Sequence, residues 1–140
     1  MRMLKVIFLV AVCVGCAAIQ VRSLDKSYNV SHVCIEDNPK VVVGGYIEII
    51  SDVFQEHSIT TETYSGKLPE HCEIKLTYTA LRSWDFAAYL SHAELRLFKE
   101  NKRIAYAEYH LRGKGGFALN KWASVKSKMT PVVNELLSQY

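Results

Sequence analysis

The longest alternating run in the chain spans residues 72–85, with Cys72, Ile74, Leu76, Tyr78 and Ala80 on one side and Glu73, Lys75, Thr77 and Thr79 on the other. A side-chain period of two is that of a strand with one face in a core and the other in water. The run therefore predicts a sheet covered on one side only. A second period appears after Asp37-Asn38-Pro39. Val42, Tyr46, Ile49 or Ile50, Val53 and Phe54 recur three and four apart, while Glu48, Ser51, Asp52, Gln55 and Glu56 fall between them. This is a helical stripe, expected to start at an Asn38 cap with Pro39 in its first turn and to end near His57. Gly44 and Gly45 inside it are expected to allow close packing of its first turns on the sheet.

Shorter signals fill the rest. Residues 30–36 around Cys34 read as a short strand, and residues 58–65, rich in Thr and Ile, as another that turns through Gly66-Lys-Leu-Pro69 into the long strand. Residues 87–98 and 103–111 predict a hairpin turning near Glu100-Asn101-Lys102. If Ala93, Leu95 and Leu97 share the core face with Ala105, Ala107 and Tyr109, paired positions sum to an even number, most simply 202. A three-residue connection would give that sum, although Lys102 suits a left-handed position poorly. Arg112-Gly-Lys-Gly-Gly116 reads as a flexible loop. Asn120 is expected to cap a closing helix striped with Trp122, Val125, Met129, Val132 or Val133, and Leu136, kinked or restarted at Thr130-Pro131. The order β-α-β-β-β-β-α predicts an α+β fold: an antiparallel-dominated mixed sheet of about five strands with two helices packed on one face.

At 140 residues and 49% hydrophobic side chains, the chain has room for one domain and its core. Its first residues look like an export leader: Arg2 and Lys5 at a short polar start, an apolar run over 6–14, then small residues, too short to span a membrane. Cys13-Val-Gly-Cys16-Ala resembles a lipobox, with Cys16 as the lipidation site, although Cys13 stands where such motifs usually carry Leu. The alternative is plain secretion with cleavage after Ala17 or Ala18. The expected division is signal peptide 1–16, linker 17–30 and a single domain 31–140. The cysteines fit: Cys13 leaves with the leader, Cys16 takes the lipid, and Cys34 and Cys72 remain as a disulfide pair in an oxidising compartment. Closing that loop would stabilise the domain by about 3 to 4 kcal/mol.

Cys34 with Asn38-Pro39, Cys72-x-x-x-Leu76-x-Tyr78-Thr79-Ala80, Trp84-Asp85, Tyr89-Leu90, Ala105-x-Ala107-x-Tyr109 and Lys121-Trp122 together resemble a group of small uncharacterised proteobacterial periplasmic or outer-membrane lipoproteins. The likeness runs over most of residues 30–140. Its motifs are structural in kind and imply no particular activity.

The candidate chemistry is sparse. No serine sits in a GxSxG elbow, no thiol is left free, and the five histidines are scattered, so a non-enzymatic domain without a cofactor is expected. The 202 register places His92 opposite His110 and Glu94 opposite Glu108 on the solvent face. Those four are metal-ligand types at cross-strand spacing, but solvated strands carry such residues routinely and no metal is expected. Asp85 reads as a turn residue bonding nearby backbone N–H groups. Without Arg2 and Lys5 the net charge falls from +3 to +1, which disfavours nucleic acid as a partner. Residues 25–73 nevertheless hold nine acids against three bases, and 96–128 nine bases against two acids. Arg96, Lys99, Lys102, Arg103, Arg112 and Lys114 thus form a candidate binding surface for an envelope protein or anionic lipid headgroups. The expected role is a periplasmic accessory domain docking on an envelope partner, held at the outer membrane through Cys16, since Ala17 rather than Asp follows that cysteine. The alternatives are a soluble periplasmic or secreted protein and an inhibitor or immunity protein for a cell-wall hydrolase, working through the 112–116 loop.

Overall fold

The computed structural model describes residues 17–116 and 119–140. The expected signal peptide, 1–16, with the lipidation candidate Cys16, lies outside the described residues. The fold is α+β. One six-stranded mixed sheet is built from β1 (Ala17–Arg22), β2 (His32–Glu36), β3 (Thr60–Tyr64), β4 (Ile74–Asp85), β5 (Ala87–Lys99) and β6 (Lys102–Leu111), with α1 (Tyr46–Glu56) and α2 (Val125–Leu136) packed on one face. The spatial order is β1-β6-β5-β4-β2-β3. The pairs β1–β6, β6–β5 and β5–β4 are antiparallel, whereas β2 runs parallel to both β4 and β3.

The long alternating strand is β4, and Ile74, Leu76, Tyr78 and Ala80 are buried beneath the helices as its period requires. Cys72 does not extend that face. It precedes β4 and packs with Cys34, Tyr64 and Leu68 in a small cluster of its own. Cys34 pairs with Lys75 and so points to the open face, opposite to Ile74.

The β5–β6 register follows the 202 rule from His92↔His110 to Leu97↔Ala105. The connection differs from the expected one. Glu100 and Asn101, with φ of 49° and 63°, form a two-residue left-handed turn that pairs Lys99 with Lys102, and a bulge after Leu97 restores the register. Turns of this hand match the twist of the strands they join, and Lys102 is spared a left-handed backbone.

Residues 17–30 are not a linker. Ala17, Ile19 and Val21 alternate with Ala18, Gln20 and Arg22 in a strand that pairs with β6 along its whole length. Leu24 is then fully buried, its N–H bonded to Leu136 O at 2.8 Å. Tyr140 fastens the same segment, accepting from Val30 N and donating to Asp25 O. Six residues of alternation directly after an apolar leader are too short a signal to separate from it.

Both helices begin later than expected. Asn38 closes a turn, with its Oδ1 accepting from Lys40 N and its Nδ2 donating to Tyr78 O, and α1 starts only after Gly45. That glycine is needed for its φ of 71°, a left-handed conformation that costs other residues about 1 to 2 kcal/mol. A Cβ at Gly44 or Gly45 would meet nothing within 4 Å, so close packing is not their role. Likewise α2 is capped by Ser124, whose Oγ accepts from Ser127 N. It carries Pro131 in its interior without a restart. Asn120 and Trp122 sit in a preceding 3-10 turn.

Candidate functional site

The open face of the sheet presents Lys75, Thr77 and Thr79 from β4, His92, Glu94 and Arg96 from β5, and Tyr106, Glu108 and His110 from β6. The register sets His92 beside His110 and Glu94 beside Glu108 as the sequence predicts. These groups bond chiefly to one another. Arg96 pairs with Glu94 through Nη1 and donates to Thr77 Oγ1 at 3.1 Å and Thr79 Oγ1 at 2.9 Å. The Tyr106 hydroxyl lies 2.9 Å from Glu108 Oε2 and 3.3 Å from Glu94 Oε1. Burial, followed by the bond to Glu108, pushes that phenol up to about 12. His92 Nε2 lies 3.3 Å from Glu94 Oε1, and its Nδ1 faces His110 Nδ1 at 3.1 Å. One of those two nitrogens must carry a proton and the other accept it. His92, Glu94 and Glu108 converge, whereas His110 reaches the group only through the His92 ring. With Arg96 and Tyr106 already answering the carboxylates, this cluster is a closed network.

The expected basic surface is not continuous. Lys99, Lys102 and Arg103 stand at the β5–β6 turn, with Lys99 Nζ over the Tyr28 ring at 6.0 Å and the Arg103 guanidinium over Tyr106 at 4.7 Å. Arg112 follows β6 at the opposite end, about 30 Å away at a strand rise of ~3.3 Å per residue. Arg96 is turned into the network. The Lys114 side chain lies outside the described residues.

At the Arg112 end the chain exposes aromatic side chains. Trp84 is 75% exposed and Phe86 90% exposed, and Phe86 is held at φ 62° in the β4–β5 turn. Trp122 lies against Phe86, ring centres 6.5 Å apart, and its Nε1 donates to Asp85 O at 2.7 Å. The Asp85 carboxylate pairs with Lys121 Nζ, which also donates to Gly116 O at 3.0 Å and lies over the Trp122 ring. Asp85 thus holds a distant cation, and the expectation of a local turn bond fails. Deeper in, Lys128 Nζ donates to Leu90 O and Lys121 O and sits over the Tyr89 and Tyr109 rings. Burial lowers its pKa. Ala17 opposes Leu111, so β1 begins, β6 ends and the aromatic turn projects at one and the same end of the sheet.

A fourth feature surrounds the disulfide. Cys34 and Cys72 are bonded, with Cα atoms 5.9 Å apart, inside the window a bridge requires. The bridge draws His71, next to Cys72, toward His32, two residues before Cys34. Glu62, opposite Cys34 on β3, reaches both: His32 Nε2 is 3.2 Å from Glu62 Oε2 and His71 Nε2 is 2.7 Å from Oε1. These bonds, the His71 bond foremost, lower the Glu62 pKa. The sequence reading missed this trio. Once Cys34 and Cys72 are paired, His32 and His71 must be near neighbours, and that was the available signal.

No protein-family model and no curated protein matches the chain. Solved structures similar to it include the PelC dodecamer from Paraburkholderia phytofirmans, at 10% identity and a TM-score of 0.56 over 86% of this chain and 96% of that one. A point variant of the same dodecamer matches at 9% identity and a TM-score of 0.51, over 83% and 96% respectively. At such identities the likeness is one of fold. Among the described residues no helix is long and apolar enough to cross a membrane.

Proposed function

We propose that the protein is an exported, non-enzymatic envelope domain that rests on a membrane surface through the aromatic end of its sheet. The observation that carries this reading is the placement of Ala17 at the same end as Trp84, Phe86 and Trp122. Cys16, the lipidation candidate, is bonded directly to Ala17, so its lipid would leave the protein where those aromatics stand exposed. The turn at Phe86 projects about 16 Å beyond the level of Ala17, by five residues at ~3.3 Å each, and both can therefore reach one surface. Tryptophan favours the depth where headgroups meet acyl chains. Each large apolar side chain placed in hydrocarbon would add about 1.5 to 3 kcal/mol to the hold of a lipid anchor. Exposed Arg82 and Arg112 flank this end and suit anionic headgroups.

The polar network supports a structural role for the open face, since its carboxylates are engaged by Arg96 and Tyr106. The 112–116 segment, which an inhibitor would need as a projecting loop, is a 3-10 turn whose Gly116 carbonyl is held by Lys121. This favours membrane docking over inhibition. PelC is a dodecamer, and assembly with further copies of this chain on the membrane is the partner class the shared fold supports.

Both tryptophans of the chain lie at the aromatic end, so tryptophan emission, excited selectively, reports on it alone. With vesicles containing acyl-brominated anionic lipid, the mature protein is expected to shift its emission to the blue and be quenched, and Phe86→Ser to reduce both effects. Emission indifferent to vesicles would sink the reading. Fatty-acid labelling that persists in Cys16→Ser would remove the lipid anchor from it.

A further inference from the structure

We propose that His32, Glu62 and His71 form a binding site for a zinc-class divalent cation at the disulfide corner of the open face. One ligand atom from each lies within 4.8 Å of the others. Cys34 Sγ falls within the same distance but is committed to the bridge, and both bridge sulfurs touch Glu62 Oε1 at 3.5 Å without a proton to donate. The ligands are therefore two imidazoles and a carboxylate, a set that binds zinc and leaves a position open.

His32 is prepared for the role by its neighbours. The Thr60 hydroxyl donates to Ser31 O at 3.2 Å and accepts from His32 Nδ1 at 2.6 Å. In the tautomer that carries its proton on Nδ1, the Nε2 lone pair faces Glu62 Oε2 at 3.2 Å. A lone pair and a carboxylate at that distance repel unless a cation, a proton or a metal ion, stands between them. An outer partner that fixes the tautomer in this way is characteristic of metal-ligating histidine. Ligand atoms about 2.0 to 2.1 Å from a tetrahedral ion stand about 3.3 Å apart. The separation of His32 Nε2 from Oε2 already matches, while His71 sits 2.7 Å from the other oxygen, Oε1, so exposed His71 and the carboxylate have to turn until one ligand atom of each, already within 4.8 Å of the others, surrounds the ion.

Two further features favour this corner over the His92 cluster. The ion pairs of Glu62 are with the two imidazoles, whereas Glu94 already carries the Arg96 guanidinium. Beside the trio lies a cavity of about 230 Å³, lined by Tyr28, Asn29, His32, His71 and Glu73 among others, with room for water or a small anion on the open position. The disulfide and the β2–β3 pairing hold the three ligands in place without the ion.

The test is calorimetric titration of the oxidised mature protein with Zn²⁺ alone in chelator-free buffer, repeated with Co²⁺ read by visible absorption. One equivalent should bind. His71→Ala, at an exposed position, and Glu62→Gln should each weaken binding by more than the about 10- to 100-fold that loss of a supporting partner costs. Thr60→Val should fall within that range, and His110→Ala should bind as the parent does. Absence of a one-equivalent site, binding indifferent to His71→Ala, or binding lost in His110→Ala would each overturn the proposal.

Discussion

Trp122 Nε1 donates to the backbone carbonyl of Asp85 at 2.7 Å, and this bond helps join the segment leading into α2 to the tip of the β4–β5 hairpin. Lys121 makes the adjacent tie to the Asp85 carboxylate, so the exposed turn is braced twice from one neighbouring segment. Trp122→Phe keeps an aromatic ring beside Phe86 and deletes the donor, together with part of the ring face under Lys121. A loss of about 1 kcal/mol is expected, together with faster amide exchange confined to residues 84–88. Exchange that rises across the whole sheet would show that the bond does more than brace the tip.

Phe86 occupies a left-handed backbone conformation, φ 62°, while 90% exposed. One side of its ring lies against Trp122, and the rest is what the proposed docking would place in the membrane. Phe86→Gly should raise stability by up to about 1 kcal/mol while weakening vesicle binding, so chemical denaturation and fluorescence quenching should move in opposite directions. A variant that binds vesicles as well as the parent would detach the side chain from docking.

Reduction of Cys34–Cys72 should lower stability by about 2 to 4 kcal/mol and leave the fold in place, because β2 also has its ladders to β3 and β4. Mass spectrometry of the unreduced mature protein should find the two peptides linked, and denaturant midpoints with and without reductant give the energy. The corner at His71 should loosen first.

The tyrosines set an alkaline limit. Burial raises Tyr46, Tyr64, Tyr106 and Tyr109 above 10.0, the last three to about 12. The Tyr46 hydroxyl is buried and has no hydrogen-bond partner among the described residues. A phenol whose folded pKa exceeds its unfolded value adds stability that is fully present below pH 10 and is lost as pH climbs from 10 toward 12. Tyrosinate absorbance should therefore rise steeply, together with loss of the far-ultraviolet signal, above pH 10. Independent titration of these tyrosines near pH 10 in a folded protein would contradict their burial.

Residues close together along the chain settled much of this protein. The alternation of Ile74, Leu76, Tyr78 and Ala80 determines a one-sided strand, because side-chain direction in a strand depends only on parity. The same parity limits the β5–β6 register to even sums, of which 202, the simplest, is the one that brings His92 to His110. Four cysteines, two of them inside the expected leader, leave Cys34 and Cys72 as the expected pair, which the structure bonds. What local pattern could not decide is which strands become neighbours, since that depends on long-range pairing and on packing between distant segments. Only the tertiary structure makes β1 a partner of β6, turns Cys34 to the open face by setting β2 parallel to β4, and gathers Trp84, Phe86 and Trp122 at the end of the sheet where β1 begins. It also decides that Glu62 stands between His32 and His71, because His32 is 30 positions from Glu62 in sequence yet lies on the adjoining strand of a parallel pair. Periodicity carries no information about that adjacency, and the free energy that selects it comes from burying the faces of β2 and β4 under α1.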